Sequence, residues 1–279
     1  MLRKLLQSVS NLIPYRLRSS IRHIPGLKQL QQYLMQKHLD GASFEHRIKG
    51  GPADGLVYPV ELPQDKQIWL GNYEQSFSET LAAAIRPGDV CYDIGGYRGF
   101  FSGVMACQKA ASVAVFEPLP DNQTQIKKMI ALNLGFTISL FPYALADEAG
   151  ETTFTVMPES SMGKLGKSTF DSGDQASGSI PVQLETIDRL IVGAKIQPAK
   201  LIKIDVEGAE FLVLQGSQNL VREHHPTFYI EAHSRELARQ CSEFLNSHGY
   251  TVTVLQTGRP PDYSTEPVVC HLCAVVIKP

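Results

Sequence analysis

Between residues 90 and 250 short apolar runs alternate with longer amphipathic stretches, and this rhythm restricts the fold more than any other feature of the chain. Residues 90–94, 113–116, 137–141, 201–204 and 228–231 read as buried strands, while 100–110, 121–134, 208–221 and 234–248 repeat apolar side chains at helical spacing. Gly135 and Gly249 stand as C-terminal stops. Strands separated by helices of roughly 10 to 15 residues build a mostly parallel sheet with helices on both faces and right-handed crossovers. The expected fold class is therefore α/β, a doubly wound, Rossmann-like domain. Just upstream, Ser76 and Glu79 form a capping box ahead of Phe77, Leu81 and Ile85, which share one helical face.

The ends of the chain behave differently. Residues 1–50 hold nine Lys or Arg against only Asp40 and Glu45, with Leu2, Leu5, Leu6, Val9, Leu12 and Ile13, and later Leu27, Leu30 and Leu34, at helical spacing. The expected organisation is a basic amphipathic helical extension over 1–50 and one domain over 51–279, in which 159–179, rich in Ser, Gly, Lys and Asp, forms a mobile loop. The extension is expected to pack on its own domain or a partner, with peripheral membrane contact through residues 1–40 as the other reading. Within the loop, Ser161 stands where a phosphate loop needs glycine, so nucleoside triphosphate binding is set aside. Lys164 and Lys167 are read as solvated loop residues rather than as the mark of an anionic acceptor.

Composition narrows the function classes. With 26 basic and 28 acidic residues the net charge is −2, so no global field draws nucleic acid. The five cysteines are odd in number and lie in apolar segments, which fits reduced thiols and a cytoplasmic protein. Cys270 and Cys273 form a C-x-x-C, but strand alternation points them to opposite faces, and no metal is assigned. No apolar run reaches the ~18 residues that a spanning helix requires, and the first residues lack the continuous apolar core of a secretory leader.

Chemistry concentrates in the segment 90–99, a strand running into a glycine-rich turn and then a helix. In an open α/β sheet, ligands sit beyond the carboxyl ends of the strands, where the strand order reverses. Gly95 and Gly99 are expected to let the backbone approach such a ligand closely. Glu117 ends the next strand, where a carboxylate can accept both hydrogen bonds of a ribose diol. The glycines at 95, 96 and 99 do not keep the dinucleotide spacing. Asp93 at the mouth of the first strand would repel a pyrophosphate, yet it suits a ligand carrying an ammonium and a sulfonium.

These blocks, together with 71–74, Tyr143 to Asp147, Glu185 to Asp188, Lys203-Ile-Asp-Val-Glu-Gly-Ala-Glu210 and Glu231-Ala-His233, resemble the FkbM family of methyltransferases from about Gly71 onward. The resemblance implies S-adenosyl-L-methionine as cofactor and a hydroxyl of a small metabolite or glycan as acceptor. It places Asp93, Gly95 and Gly99 around the methionine part, Glu117 on the ribose, the turn from Ala144 to Asp147 at the adenine, and Glu74 in the same pocket. The chain departs from the family at Gly96-Tyr97-Arg98, where Ala-Asn and a small or apolar residue are more usual, and in its first fifty residues.

Methyl transfer to an aliphatic hydroxyl needs in-line positioning and a group that takes the proton. Asp205 and Glu207 follow the fourth strand on the side of Lys203, and Glu231 and His233 end the fifth with the same spacing. His233 or Glu207 is expected to act as the base and Asp205 to position, although the same carboxylates also suit the N-terminus of the helix from Gly208 or a shared divalent cation. Lys203, inside an apolar strand, requires a buried carboxylate partner that spacing alone does not identify. Two rivals remain on the same architecture: a nicotinamide-dinucleotide oxidoreductase and a non-catalytic scaffold recruited through its N-terminal helices.

Overall fold

The structure, a computed structural model, describes residues 41–71, 73–156, 163–165 and 178–276. The helices expected within 1–40 lie outside them, as does most of the loop expected at 159–179. The chain enters through an antiparallel hairpin of β1 (Ser43–Arg47) and β2 (Val57–Glu61), so the boundary expected at residue 50 falls between two paired strands. Two helices follow, α1 (Lys66–Leu70) and α2 (Gln75–Ala84). The capping box does not form. Glu74 takes a left-handed backbone, φ 39°, as the N-cap, and α2 starts at Gln75, leaving Ser76 inside the helix.

The doubly wound sheet is present as expected. From β3 (Val90–Ile94) the chain passes through α3 (Phe100–Cys107), β4 (Ser112–Phe116), α4 (Pro120–Leu132) and β5 (Ile138–Phe141). It returns later through β10 (Leu201–Ile204), α6 (Glu210–Gln215), α7 (Gln218–His224), β11 (Thr227–Ala232), α8 (Arg235–Ser247), β12 (Thr251–Val254) and β13 (Cys270–Val275), α5 being the preceding helix Ile187–Val192. The strand order is β12-β13-β11-β10-β3-β4-β5, with β13 antiparallel to both neighbours and the remaining pairs parallel. Order reverses at β3, since β4 and β5 lie on one side and β10 and β11 on the other. Alternate strand residues feed two cores, Tyr92, Ile94, Ile202 and Phe228 on one face and Cys91, Val113, Leu201 and Tyr229 on the other. Cys270 and Cys273 divide between these faces in the same way. Among the described residues, no helix is long and apolar enough to cross a membrane.

Two features exceed the sequence reading. A second sheet, β6 (Tyr143–Leu145), β9 (Gly178–Glu185), β7 (Gly150–Val156) and β8 (Gly163–Leu165), lies beside the cleft, and β8 places strand within the expected loop. The helix expected over 208–221 is two helices, broken at Gly216. A Cβ there would sit 2.0 Å from the Ala146 carbonyl oxygen, so the chain passes too close for any side chain. The second piece starts afresh because the Asp188 carboxylate accepts the backbone N–H groups of Asn219 and Leu220. The helix expected to run to Gly135 ends at Leu132, with Asn133 following as the cap.

Candidate active site

A cavity of about 330 Å³ lies at the carboxyl ends of β3, β4 and β10, the point where strand order reverses. Its wall includes Tyr73, Glu74, Gly95, Tyr97, Glu117, Asn122, Ala144, Phe154, Asp205, Glu207 and Glu231. Five of these are carboxylates, and none of the described residues that line the cavity is Lys or Arg.

Glu117 follows β4 directly and is buried. Its Oε1 accepts the Leu119 N–H at 2.9 Å and its Oε2 the Tyr97 N–H at 2.8 Å, while Asn122 hydrogen-bonds it from α4. Burial outweighs these bonds and raises its pKa to about 7. Three donors on about four lone-pair sites leave one site for a further donor. Gly95 has φ +75°, and a Cβ on it would lie 1.7 Å from the Asp205 carbonyl oxygen. The glycine therefore permits the close crossing of two backbone segments in addition to standing on the cavity wall. Gly99, at the start of α3, lies outside the cavity lining, and a Cβ there would meet Met129 and Ile126 of α4. We expect Gly95→Ala to cost about 3 kcal/mol or more, combining overpacking with left-handed strain, readable as a fall in the denaturant midpoint. A loss under about 1 kcal/mol would show that the crossing can relax.

Asp93 does not face the cavity. It pairs in register with Lys203 across β3 and β10, on the sheet face that α3 covers. Its Oδ2 accepts the Ser102 hydroxyl at 2.6 Å, and Lys203 Nζ lies 3.3 Å from its Oδ1. The ammonium that Asp93 meets is thus one of the protein's own. Lys203 Nζ also donates to the Gly95 carbonyl at 3.0 Å and lies 3.5 Å from Asp205. Burial alone would discharge this amine, but the charges of Asp93 and Asp205 offset it and hold the pKa above the ordinary lysine range. Asp147, expected near the adenine, is exposed and off the cavity wall because β6 ends at Leu145; Ala144, on that strand, does line it.

The chemistry-bearing cluster lies past β10 and β11. The strand β10 stops at Ile204, and Glu207 reaches the cavity through a left-handed turn, φ 53°, rather than by strand alternation. His233 Nε2 stands 3.1 Å from Glu207 Oε2, 3.8 Å from Asp205 and 3.9 Å from Glu231. Its Nδ1 lies 2.8 Å from Glu210 Oε1, so Nδ1–H donates to a fully buried carboxylate. Glu210 also takes the Gly208 N–H at the start of α6, the place once open to Asp205 and Glu207. Burial would lower the His233 pKa, but the bond and charge of Glu210, with Glu207 and Asp205, raise it to about 9. Burial first, then the neighbouring carboxylates, bring Glu207 to about 7 although His233 pulls the other way.

Several participants were not foreseen. His271 on β13 donates from Nε2 toward Glu231 at 3.1 Å, sits against the Phe77 ring and is held above the usual histidine range by that carboxylate. Single ligand atoms of Asp205, Glu231 and His233, and of Glu74, Glu231 and His271, each come within 4.8 Å of one another. Arg98 turns away from the cavity. It binds Asp65 through two hydrogen bonds and Glu61 through one, at 2.8–2.9 Å, while Tyr58 donates to its carbonyl oxygen. The family departure at this turn thus fastens the glycine loop to the β1–β2 hairpin.

A doubly wound sheet with its cleft at the β3 reversal, lined by carboxylates at the ends of β4, β10 and β11, defines a Rossmann-like fold. Residues 93–252 match the Methyltransferase FkbM domain, and the chain belongs to that family. The hexuronic acid methyltransferase AglP of Haloferax volcanii is 24% identical over 190 residues, 68% of this chain and 75% of that protein. Among solved structures, the FkbM methyltransferase of Methylobacillus flagellatus is 16% identical, with a TM-score of 0.48 over 75% of this chain; the chain spans about half of that protein, 52%. TYW2 of M. jannaschii, in complex with AdoMet, is 10% identical with a TM-score of 0.45, over 83% of this chain and 84% of that one.

Proposed function

We propose that the chain binds S-adenosyl-L-methionine in this cavity and catalyses methyl transfer to a hydroxyl of a small metabolite or glycan. The observation that carries the reading is Glu117, a buried carboxylate on the cavity wall whose oxygens are fixed by two backbone N–H groups. That arrangement suits a ribose diol, and Ala144 and Phe154 offer an apolar surface beside it. The acidic remainder of the wall suits a cationic donor and opposes a pyrophosphate, which argues against the dinucleotide enzyme. Bound there, the cofactor supplies an electrophilic methyl group on a sulfonium.

The protein's own part is positional and acid–base. Asp205 and Glu231 accept hydrogen bonds and orient the acceptor. Glu207, titrating near 7, takes the hydroxyl proton, and the adjoining His233, cationic up to about pH 9, stabilises the carboxylate. Of the two bases open to sequence reasoning, Glu207 is the better one, because His233 already holds its proton at neutral pH. Glu74 lines the same end of the cavity, beside Glu231. The AglP relative, named for hexuronic acid, supports a glycan-related acceptor.

Calorimetry with S-adenosylhomocysteine and NAD tests the reading. Tight binding of the first and none of the second is expected; binding of NAD alone would refute it. Glu117→Ala should weaken S-adenosylhomocysteine binding by roughly 10- to 150-fold, the worth of hydrogen bonds to a charged acceptor. Diol binding requires the ionised carboxylate, so with a pKa of about 7 affinity should fall about tenfold from pH 8 to pH 6. The Glu117→Ala variant should lose that slope.

A further inference from the structure

Resting on the methyl-transfer reading, we propose that Arg98 is a positioning residue for the cofactor. Clamped by Asp65 and Glu61, it fixes the turn from which the Tyr97 N–H aims Glu117, so the β1–β2 hairpin, upstream of the family segment 93–252, belongs to the cofactor-binding apparatus.

The turn between β3 and α3 is held from three sides. On the sheet side, the Gly95 and Gly96 N–H groups both donate to the Phe116 carbonyl at 3.0 Å. On the cavity side, Tyr97 stands on the wall and its N–H donates to Glu117 Oε2 at 2.8 Å. The hairpin forms the third side. From β2 the Tyr58 hydroxyl donates to the Arg98 carbonyl at 3.1 Å, while the guanidinium donates to both oxygens of Asp65 and to one of Glu61. The residue next to the Glu117 partner is thus gripped at its backbone and at its side-chain tip.

The clamp has the geometry of a fixed joint. The Asp65 side chain is fully buried and that of Arg98 is 9% exposed, and a planar fork on a carboxylate sets orientation as well as distance. Asp65 Oδ2 also accepts the Glu61 N–H at 2.7 Å, and Lys128 of α4 holds the other Glu61 oxygen at 2.8 Å, so two cations balance two carboxylates. The turn needs such a joint. Tyr97 has φ 47°, in the left-handed region that is disfavoured for a residue with a Cβ and persists only where its surroundings over-determine it. Freed of the clamp, the turn relaxes toward an ordinary backbone and the bond to Glu117 weakens. Glu117 then loses one of the donors that offset its burial, ionises less readily, and offers the ribose a less well aimed carboxylate.

Full-length Arg98→Met/Asp65→Asn, which removes one charge of each sign, tests the inference by calorimetry with S-adenosylhomocysteine from about pH 6 to about pH 9. Tyr97, Asn122 and Lys203, which face Glu117 from the turn, α4 and β10, stay unchanged. Affinity should fall at least about fivefold at pH 7, the loss that a tenfold weaker acid in place of Glu117 would cause there, and its pH dependence should move to higher pH. In a Glu117→Ala background the same substitutions should cost less than about twofold, because the clamp acts through that carboxylate. An equal loss in both backgrounds, or affinity within about twofold of wild type with an unmoved pH profile, would overturn the inference. Should the double variant not fold, Arg98→Lys decides by the same comparison, since it keeps the charge and loses the fork. A loss confined to the Glu117 background supports the clamp, and unchanged affinity refutes it. Failure of the wild-type protein to bind S-adenosylhomocysteine would instead remove the methyl-transfer reading, and this inference with it.

Discussion

Glu207→Gln is expected to lower kcat by at least about 100-fold while leaving donor affinity within about threefold, since loss of a general base removes a contribution of that order. The variant keeps the shape of the side chain and its distance to His233 Nε2, 3.1 Å in the wild type, but not the basic oxygen. The pH profile is the sharper readout. Wild-type kcat should rise as Glu207 deprotonates near pH 7 and fall as His233 loses its proton near pH 9. These limbs belong to the coupled pair rather than to either residue alone. In Glu207→Gln the acidic limb should vanish. A variant with kcat within threefold of wild type and an unchanged profile would exclude Glu207 as the proton acceptor.

Lys203→Met should reduce stability by about 3–5 kcal/mol, the range seen when one partner of a buried ion pair is removed. Asp93 would keep the Ser102 hydroxyl but lose the cation 3.3 Å away, in surroundings where its side chain is fully buried. That loss is a large share of the ~5–15 kcal/mol that holds a typical domain together. Denaturant unfolding should show a lower midpoint at unchanged slope. Adding Asp93→Asn should restore much of the loss, because the charge left without a partner is then gone as well. A single variant within 1 kcal/mol of wild type would mean that water or Ser102 compensates Asp93.

What could be read before folding followed from local periodicity. The five apolar runs became β3, β4, β5, β10 and β11, because an apolar stretch bounded by turn residues has few places to go other than a covered sheet. Glu117 was legible because a residue that ends a strand must sit at the cleft. Asp93 was not. Its neighbour depends on register with a strand more than a hundred residues later, and only that pairing reveals Lys203 as the group it serves. The need of Lys203 for a partner was evident from its apolar setting; the partner's identity was not. Glu207 reached the cavity for a reason that spacing does not encode, a left-handed backbone at a residue beyond the end of the strand. His271 carried no signal at all, lying in an apolar run whose antiparallel return beside β11 brings it to Glu231.

The clamp at Arg98 bears on where this protein begins as a folding body. The segment shared with the family starts at residue 93, yet the guanidinium five residues later draws both of its counter-charges from Glu61 and Asp65 upstream. Severed at the family boundary, the loop that shapes the cleft would keep its glycines and lose its anchor. Inheritance and mechanical integrity therefore have different edges here, and any excision meant to isolate the catalytic half must carry the leading hairpin with it.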